Sequence, residues 1–179
     1  GHGDFQKEKK MLMPEERRKI KRGYMWLAVR ILIITAVGWI MLTQVFMVMQ
    51  VSDNGMFPAL KAGDLLIGFR LEKELRKDDV VIYQKDGRKY IGRVLGRESD
   101  MIMMDDSGKL LINGTEQSGE IVFPTYPKEG NDYPLCVPDD SIFVLGDFRT
   151  ETKDSRDFGC ISLQDVKAKV ITVFRKRNL

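Results

Sequence analysis

The stretch Val51-Ser52-Asp53-Asn54-Gly55-Met56-Phe57-Pro58-Ala59-Leu60 divides this chain into two regimes. Before it lies an uncharged apolar run, residues 31–52, and after it come short segments that alternate apolar and polar positions. The stretch itself is turn chemistry. Ser52, Asp53 and Asn54 carry short polar side chains that bond back to the backbone, Gly55 has conformational freedom, and Pro58 stops a helix. Met56 and Phe57 offer an apolar pair to a core or a bilayer.

The run of residues 31–52 would make roughly 33 Å of helix at ~1.5 Å per residue, enough for a hydrocarbon core of about 30 Å. It is longer than the apolar region of a cleavable leader and ends Val48-Met49-Gln50-Val51 without a small-x-small site. Tyr24 and Trp26 stand just upstream as interface residues. The charge distribution agrees with a membrane span. Residues 1–30 hold nine Lys/Arg against four Asp/Glu, whereas the remainder holds 20 and 22. A basic cluster beside an apolar run is a membrane flank retained in the cytoplasm, and a nucleic-acid binder would instead carry its basic patch on the folded part. The expected organisation is therefore a basic cytoplasmic segment 1–30, a transmembrane helix 31–52 in contact with membrane lipid, and an extracytoplasmic domain 53–179. The expectation is a single-pass protein of the cell membrane with no nucleic-acid partner.

Beyond Leu60 the period is two. Residues 64–70, 79–83 and 89–95 read as strands, the last two joined by the turn Lys85-Asp86-Gly87-Arg88. A second hairpin joins residues 101–104 to 110–113 through Asp105-Asp106-Ser107-Gly108. Residues 122–140 contain Pro124, Pro127, Pro134 and Pro138 and are expected to be irregular. Residues 141–145 and 169–174 complete the strands, followed by a basic tail, Arg175-Lys176-Arg177. The fold class is mostly β, a twisted antiparallel domain on one N-terminal transmembrane helix. One histidine, His2, and two cysteines, Cys136 and Cys160, do not make a zinc site. No metal or cofactor is expected. The two cysteines fit either a disulfide or a pair of buried thiols.

Residues 146–159, Gly-Asp-Phe-Arg-Thr-Glu-Thr-Lys-Asp-Ser-Arg-Asp-Phe-Gly, form the most specific segment. Two acid–arginine pairs, Asp147 with Arg149 and Asp154 with Arg156, are expected to form bidentate ion pairs that fix a rigid polar loop.

This segment resembles the Gly-Asp-Asn-Arg…Ser-x-Asp-Ser-Arg-x-Phe-Gly box of type I signal peptidases, membrane-bound enzymes that remove signal peptides from exported proteins. Met56, Pro58 and Leu60 resemble their Ser-Met-x-Pro-Thr-Leu box. Tyr90-Ile-Gly-Arg-Val-Leu-Gly96 with Asp100 resembles their Lys-Arg-Val-Ile-Gly-x-Pro-Gly-Asp box, and the residues 111–114 and 137–147 match further segments in the same order. The likeness spans residues 30–179. It implies a signal-peptidase β-domain with a groove for an extended polypeptide, for which Ser52, Asp53, Gly55, Met56, Phe57, Pro58, Gly92 and Arg93 are the candidate lining residues. Asp147, Arg149, Asp154, Ser155 and Arg156 form the structural box.

The chain departs from the family at two positions. The resemblance places the nucleophilic serine at Gly55 and the general-base lysine at Gly92, and glycine supplies neither a hydroxyl nor an amine. Arg93 does not substitute, because a guanidinium does not deprotonate. Asp53 stands where the family stabilises an oxyanion, and a carboxylate there repels one. The resulting expectation is a protein that is not an enzyme, a pseudo-peptidase with no catalytic residues and a groove floor widened by the missing side chains. It would act as a chaperone or assembly factor for exported proteins. In this the chain resembles the signal-peptidase-like proteins of streptococcal pilus loci, which implies a pilin subunit and a pilus sortase as partners. The alternative is an active peptidase using displaced residues such as Ser52.

Overall fold

The computed structural model describes residues 2–117 and 123–175, with side chains from residue 14 onward. Val122, at the head of the expected irregular segment, and Lys176 and Arg177 of the expected basic tail lie outside the described residues.

The chain divides into two units, residues 1–44 and 45–179. The first is helix α1, His2–Val45. Its portion Pro14–Val45 is long and apolar enough to cross a membrane, and its side chains 14–44 are exposed. Pro14 lies within the helix. The helix ends earlier than the uncharged run, because Phe46–Gln50 is strand β1. The expected span 31–52 is corrected accordingly: α1 stops at Val45, and the apolar membrane-length stretch instead extends upstream across Arg30. The reason is local alternation. Met47 is buried in the core while Val48 is 64% exposed, so this segment completes a sheet with one face in and one out.

The second unit is built on two antiparallel sheets. The strands after β1 are β2 (Leu65–Phe69), β3 (Val80–Lys85), β4 (Arg88–Arg97), β5 (Met101–Met104), β6 (Leu110–Ile112), β7 (Thr115–Glu116), β8 (Leu135–Cys136), β9 (Ser141–Leu145), β10 (Ile161–Ser162) and β11 (Val166–Phe174). A short helix, α2 (Ser155–Phe158), and a single 3-10 turn, Leu163–Asp165, lie between β9 and β11. The larger sheet runs β1-β2-β11-β3-β4-β9-β10 and the smaller β7-β6-β5-β8. The mostly-β architecture expected from the period-two pattern is the one observed. The β3–β4 hairpin turns through Asp86 and Gly87, both at positive φ (49° and 76°), the conformation a two-residue hairpin turn needs. β8 falls inside the proline-rich segment expected to be irregular, and pairs Met101 with Cys136.

Two cores sit on either side of β4 and β9. Leu95, Phe143 and Leu145 face Ile102, Leu110 and Ile112 of the smaller sheet, while Val94, Ile142 and Val144 pack with Val81, Tyr83 and Ile161. Alternate residues of the same two strands therefore serve both layers. A third cluster, Val51, Met56, Leu60 and Leu66, fastens the loop after β1 onto the sheet.

Candidate active-site cleft

The loop of residues 51–64 is closed by its own backbone. The Val51 N–H donates to the Asp64 carbonyl (2.8 Å) and the Gly63 N–H to the Val51 carbonyl (2.8 Å). Within it, Gly55 N–H donates to Asp53 Oδ1 at 2.8 Å, the Asx turn that the sequence led us to expect. Met56 is 1% exposed and anchors the loop, whereas Phe57 turns outward toward Phe148, with ring centroids 6.1 Å apart.

The box of residues 146–159 docks on this loop through its backbone: Phe148 N–H donates to the Gly55 carbonyl at 3.0 Å. Gly146 is required by that approach. A Cβ there would stand 2.7 Å from the Gly55 carbonyl oxygen and 2.4 Å from Thr152 Cγ2. The box is held from within by Asp154, which is 1% exposed. Its carboxylate accepts from Arg156 Nε (2.9 Å) and Nη2 (2.8 Å), from Thr152 Oγ1 (2.7 Å) and from the Gly146 N–H (3.2 Å), and it caps α2 through the Arg156 N–H (3.0 Å). Arg156 spends its remaining donors on the carbonyls of Arg149 and Tyr126. A charge pair this deeply buried persists because nearly every lone pair and proton is matched.

The Asp154–Arg156 pair is thus bidentate as expected, but the expected Asp147–Arg149 pair is not formed. Asp147 is taken by Arg93, Nε to Oδ1 at 2.9 Å and Nη2 to Oδ2 at 2.6 Å. Arg149 instead turns inward, donating to the Gly146 carbonyl and Thr125 Oγ1, and burial pushes its guanidinium down to about 10. Ser155, fully buried, accepts the Val144 N–H at 2.9 Å and so joins α2 to β9.

Gly55 and Gly92 are unlike in their surroundings. A Cβ on Gly55 would meet side-chain atoms alone, Asp53 Oδ1 at 3.0 Å and Thr152 Cγ2 at 3.1 Å, both tight contacts. A Cβ on Gly92 would fall 2.3 Å from Val144 Cγ1, 3.3 Å from the Leu145 carbonyl and 3.5 Å from Tyr83 Cε1. The expected widening of the groove floor at Gly92 is corrected by this geometry, since Val144 fills the space. Tyr83, also against that spot, was not singled out from the sequence. Its hydroxyl is buried without a partner among the described residues, and burial, reinforced by Asp154, raises its pKa.

A cavity of about 610 Å³ opens beside Gly55. Residues 52–55 form one wall, residues 88–91 of β4 another, and Phe148 with residues 151–153 the third. Of the expected groove residues, Ser52, Asp53 and Gly55 line it. Phe57 lines a separate hollow with Asn54, Lys61, Ala62 and Phe148, and Pro58 a third with Ala59, Lys61, Asp64 and Arg175. Met56 is buried in the core and Arg93 is bound to Asp147 and the Asp78 carbonyl, so neither is brought to the cavity wall, and Gly92 is not on it either. The backbone of β4 explains why the cavity exists. Its one edge pairs with β3 over residues 88–93, whereas β9 pairs with the other edge only over residues 93–97. No described strand covers residues 88–92 on that side.

Residues 24–175 match the family described as signal peptidase, peptidase S26. The chain belongs to this family. It is 30% identical over 136 residues to a signal peptidase I of Bacillus caldolyticus, covering 67% of this chain and 74% of that one. It is 29% identical over 139 residues to a protein of Arabidopsis thaliana named probable thylakoidal processing peptidase 2, chloroplastic, covering 70% of this chain but only 36% of that one. Among solved structures, a signal peptidase I from Enterococcus faecalis V583 matches 55% of this chain and 97% of its own, at 23% identity and a TM-score of 0.44. Family membership corrects the expectation that the protein is not an enzyme, which rested on the glycines at 55 and 92. The family is one of peptidases, and the relatives bear peptidase names.

Cys136 and Cys160 are both free thiols, the first exposed. Burial, then the proximity of Cys136, pushes the Cys160 thiol up to about 11.

Proposed function

We propose that residues 53–179 hold an extended segment of an exported polypeptide at the outer membrane surface, acting as a chaperone or assembly factor, with pilin polymerisation beside a sortase as the specific case. In this reading α1 anchors the protein with its N-terminus in the cytoplasm, as the basic flank predicts. The observation that carries the reading is the uncovered edge of β4 at residues 88–91, which opens onto the cavity beside Gly55. An extended peptide adds to such an edge through main-chain hydrogen bonds, which need no reacting side chain. The pilin case is supported by the resemblance to the proteins of streptococcal pilus loci.

The test is incubation of the detergent-solubilised full chain with a pilin subunit and, separately, with an exported precursor. Retained complex is read by co-elution and chain integrity by mass spectrometry. Co-elution of pilin is expected. If neither polypeptide is retained, the reading falls.

One observation favours a second reading, a peptidase working through displaced residues. Ser52 lines the same cavity as Lys89 and Lys153, so a hydroxyl and two amines share one space. That reading predicts cleavage of the precursor at one defined bond, abolished by Ser52→Ala.

A further inference from the structure

The same cavity has a charge pattern that the binding of an extended segment does not by itself explain. Arg88 and Lys89 reach it from β4 and Lys153 from the box, against Asp53 and Glu151. All five side chains are exposed, and among the described residues no ion pair joins any of them. Asp53 is partly committed, its Oδ1 accepting the Gly55 N–H. Of the other cations of the box and of β4, Arg156 is spent on Asp154 and Arg93 on Asp147, Arg149 is turned inward onto the Gly146 carbonyl and Thr125 Oγ1, and Arg97 lines a different hollow. Three unpaired cations against two carboxylates on the walls of one concave space leave a net positive charge, which raises the local potential and is met by whatever enters.

We propose that the occupant of this cavity is an acidic extended segment, with Asp or Glu side chains at alternate positions where it runs along residues 88–91. The inference rests on the binding reading above and names the class of sequence that the site takes. Period two decides the spacing: a strand added to β4 presents every second side chain to the same face, so residues i and i+2 of the segment flank Lys89 together, while Arg88, the preceding residue of β4, projects from the other face. Four residues of strand span about 13 Å at ~3.3 Å each, long enough for two such carboxylates. Their preference is electrostatic and screened by salt, because these groups are exposed.

The experiment uses the full chain in neutral detergent and three ten-residue peptides with one backbone sequence. They carry Glu, Gln or Lys at two alternate central positions, and binding is measured by fluorescence anisotropy at low and at high salt. The Glu peptide is expected to bind about fivefold tighter than the Gln peptide at low salt, with the Lys peptide weakest. The difference should shrink at high salt and disappear in the Lys89→Gln/Lys153→Gln variant, while Lys109→Gln, outside the cavity, leaves it unchanged. Equal affinity of the Glu and Gln peptides overturns the acidic preference and leaves the binding reading standing. Binding of none of the three overturns both.

Discussion

Placing a methyl group on Gly92 is the sharpest test of the packing around the cleft. The backbone there does not have a positive φ, so alanine is permitted conformationally and any cost is steric. The cost arises at one atom. The new Cβ would lie 2.3 Å from Cγ1 of Val144, a fully buried side chain on β9 that occupies the diagonal cross-strand position. Overpacking of this kind destabilises by about 1–3 kcal/mol, offset by roughly 0.4–1 kcal/mol from the stiffer unfolded chain, for a net of about 1–2 kcal/mol. Val144→Ala removes the offending methyl but leaves a cavity. In the double variant, Gly92→Ala with Val144→Ala, the methyl introduced at position 92 takes the place of Cγ1, so the two losses should couple favourably by about 1 kcal/mol or more. Urea titration of the full chain in detergent, read by near-ultraviolet circular dichroism, gives the four stabilities of the cycle. Gly55→Ser is the contrast, because the nearest atoms to its Cβ, Asp53 Oδ1 at 3.0 Å and Thr152 Cγ2 at 3.1 Å, need give far less than Val144 at 2.3 Å from position 92, and its cost should stay within about 1 kcal/mol. Additive losses at 92 and 144, within about 0.5 kcal/mol, would refute the argument that Val144 occupies the side-chain space of residue 92.

Three further outcomes are expected. Asp154→Ala strands Arg156, 2% exposed at its side chain, without its carboxylate and should destabilise the domain by about 3–5 kcal/mol in the same titration. Ser155→Ala leaves the buried N–H of Val144 without its acceptor and should cost about 1–3 kcal/mol, while Ser155→Thr keeps an acceptor. Iodoacetamide should label exposed Cys136 first, and labelling of Cys160 should climb about tenfold per pH unit until about pH 11, where its thiol ionises. Because the folded pKa of Cys160 is raised, its contribution to stability is fully present below the ordinary thiol range and is lost as the pH rises toward 11. A scan of melting temperature from pH 8 to pH 11 should therefore fall less steeply in Cys160→Ser.

Much of the β-domain was legible because it is written at short range. The continuous apolar, β-branched run after Asp79, Val80-Val-Ile-Tyr83, and the Asp86-Gly87 turn specify the β3–β4 hairpin without help from elsewhere, and Asp154 finds Arg156 two residues away around a helix cap. What escaped was decided by partners distant in the chain. Phe46–Gln50 is as apolar as the helix before it, and only its pairing with Leu65–Phe69 makes it a strand. Asp147 has an arginine two residues on, yet binds Arg93, 54 residues back, because β4 and β9 are neighbours and bring the two together in the sheet.

The cleft shows the same division between composition and register. That Gly55 and Gly92 carry no side chains is visible in the sequence, but the inference that both leave open space fails at Gly92, where a Cβ would meet Val144 at 2.3 Å, and at Gly55 gives way to tight contacts of 3.0 and 3.1 Å beside a cavity. Around Gly55 the nearest atoms belong to a turn carboxylate and a threonine methyl, and a cavity adjoins it. Around Gly92 the sheet has closed, with Val144 from one neighbouring strand and Tyr83 from the other meeting where a side chain would start. A longer side chain at 92 therefore requires β9 to repack, whereas one at 55 projects beside a space already present. In the proposed binding reading, recognition at this cleft is carried by what surrounds Gly55, the uncovered backbone of residues 88–91 and the charged side chains along the cavity wall, and substitutions there should change which polypeptide is held without loosening the sheet beneath.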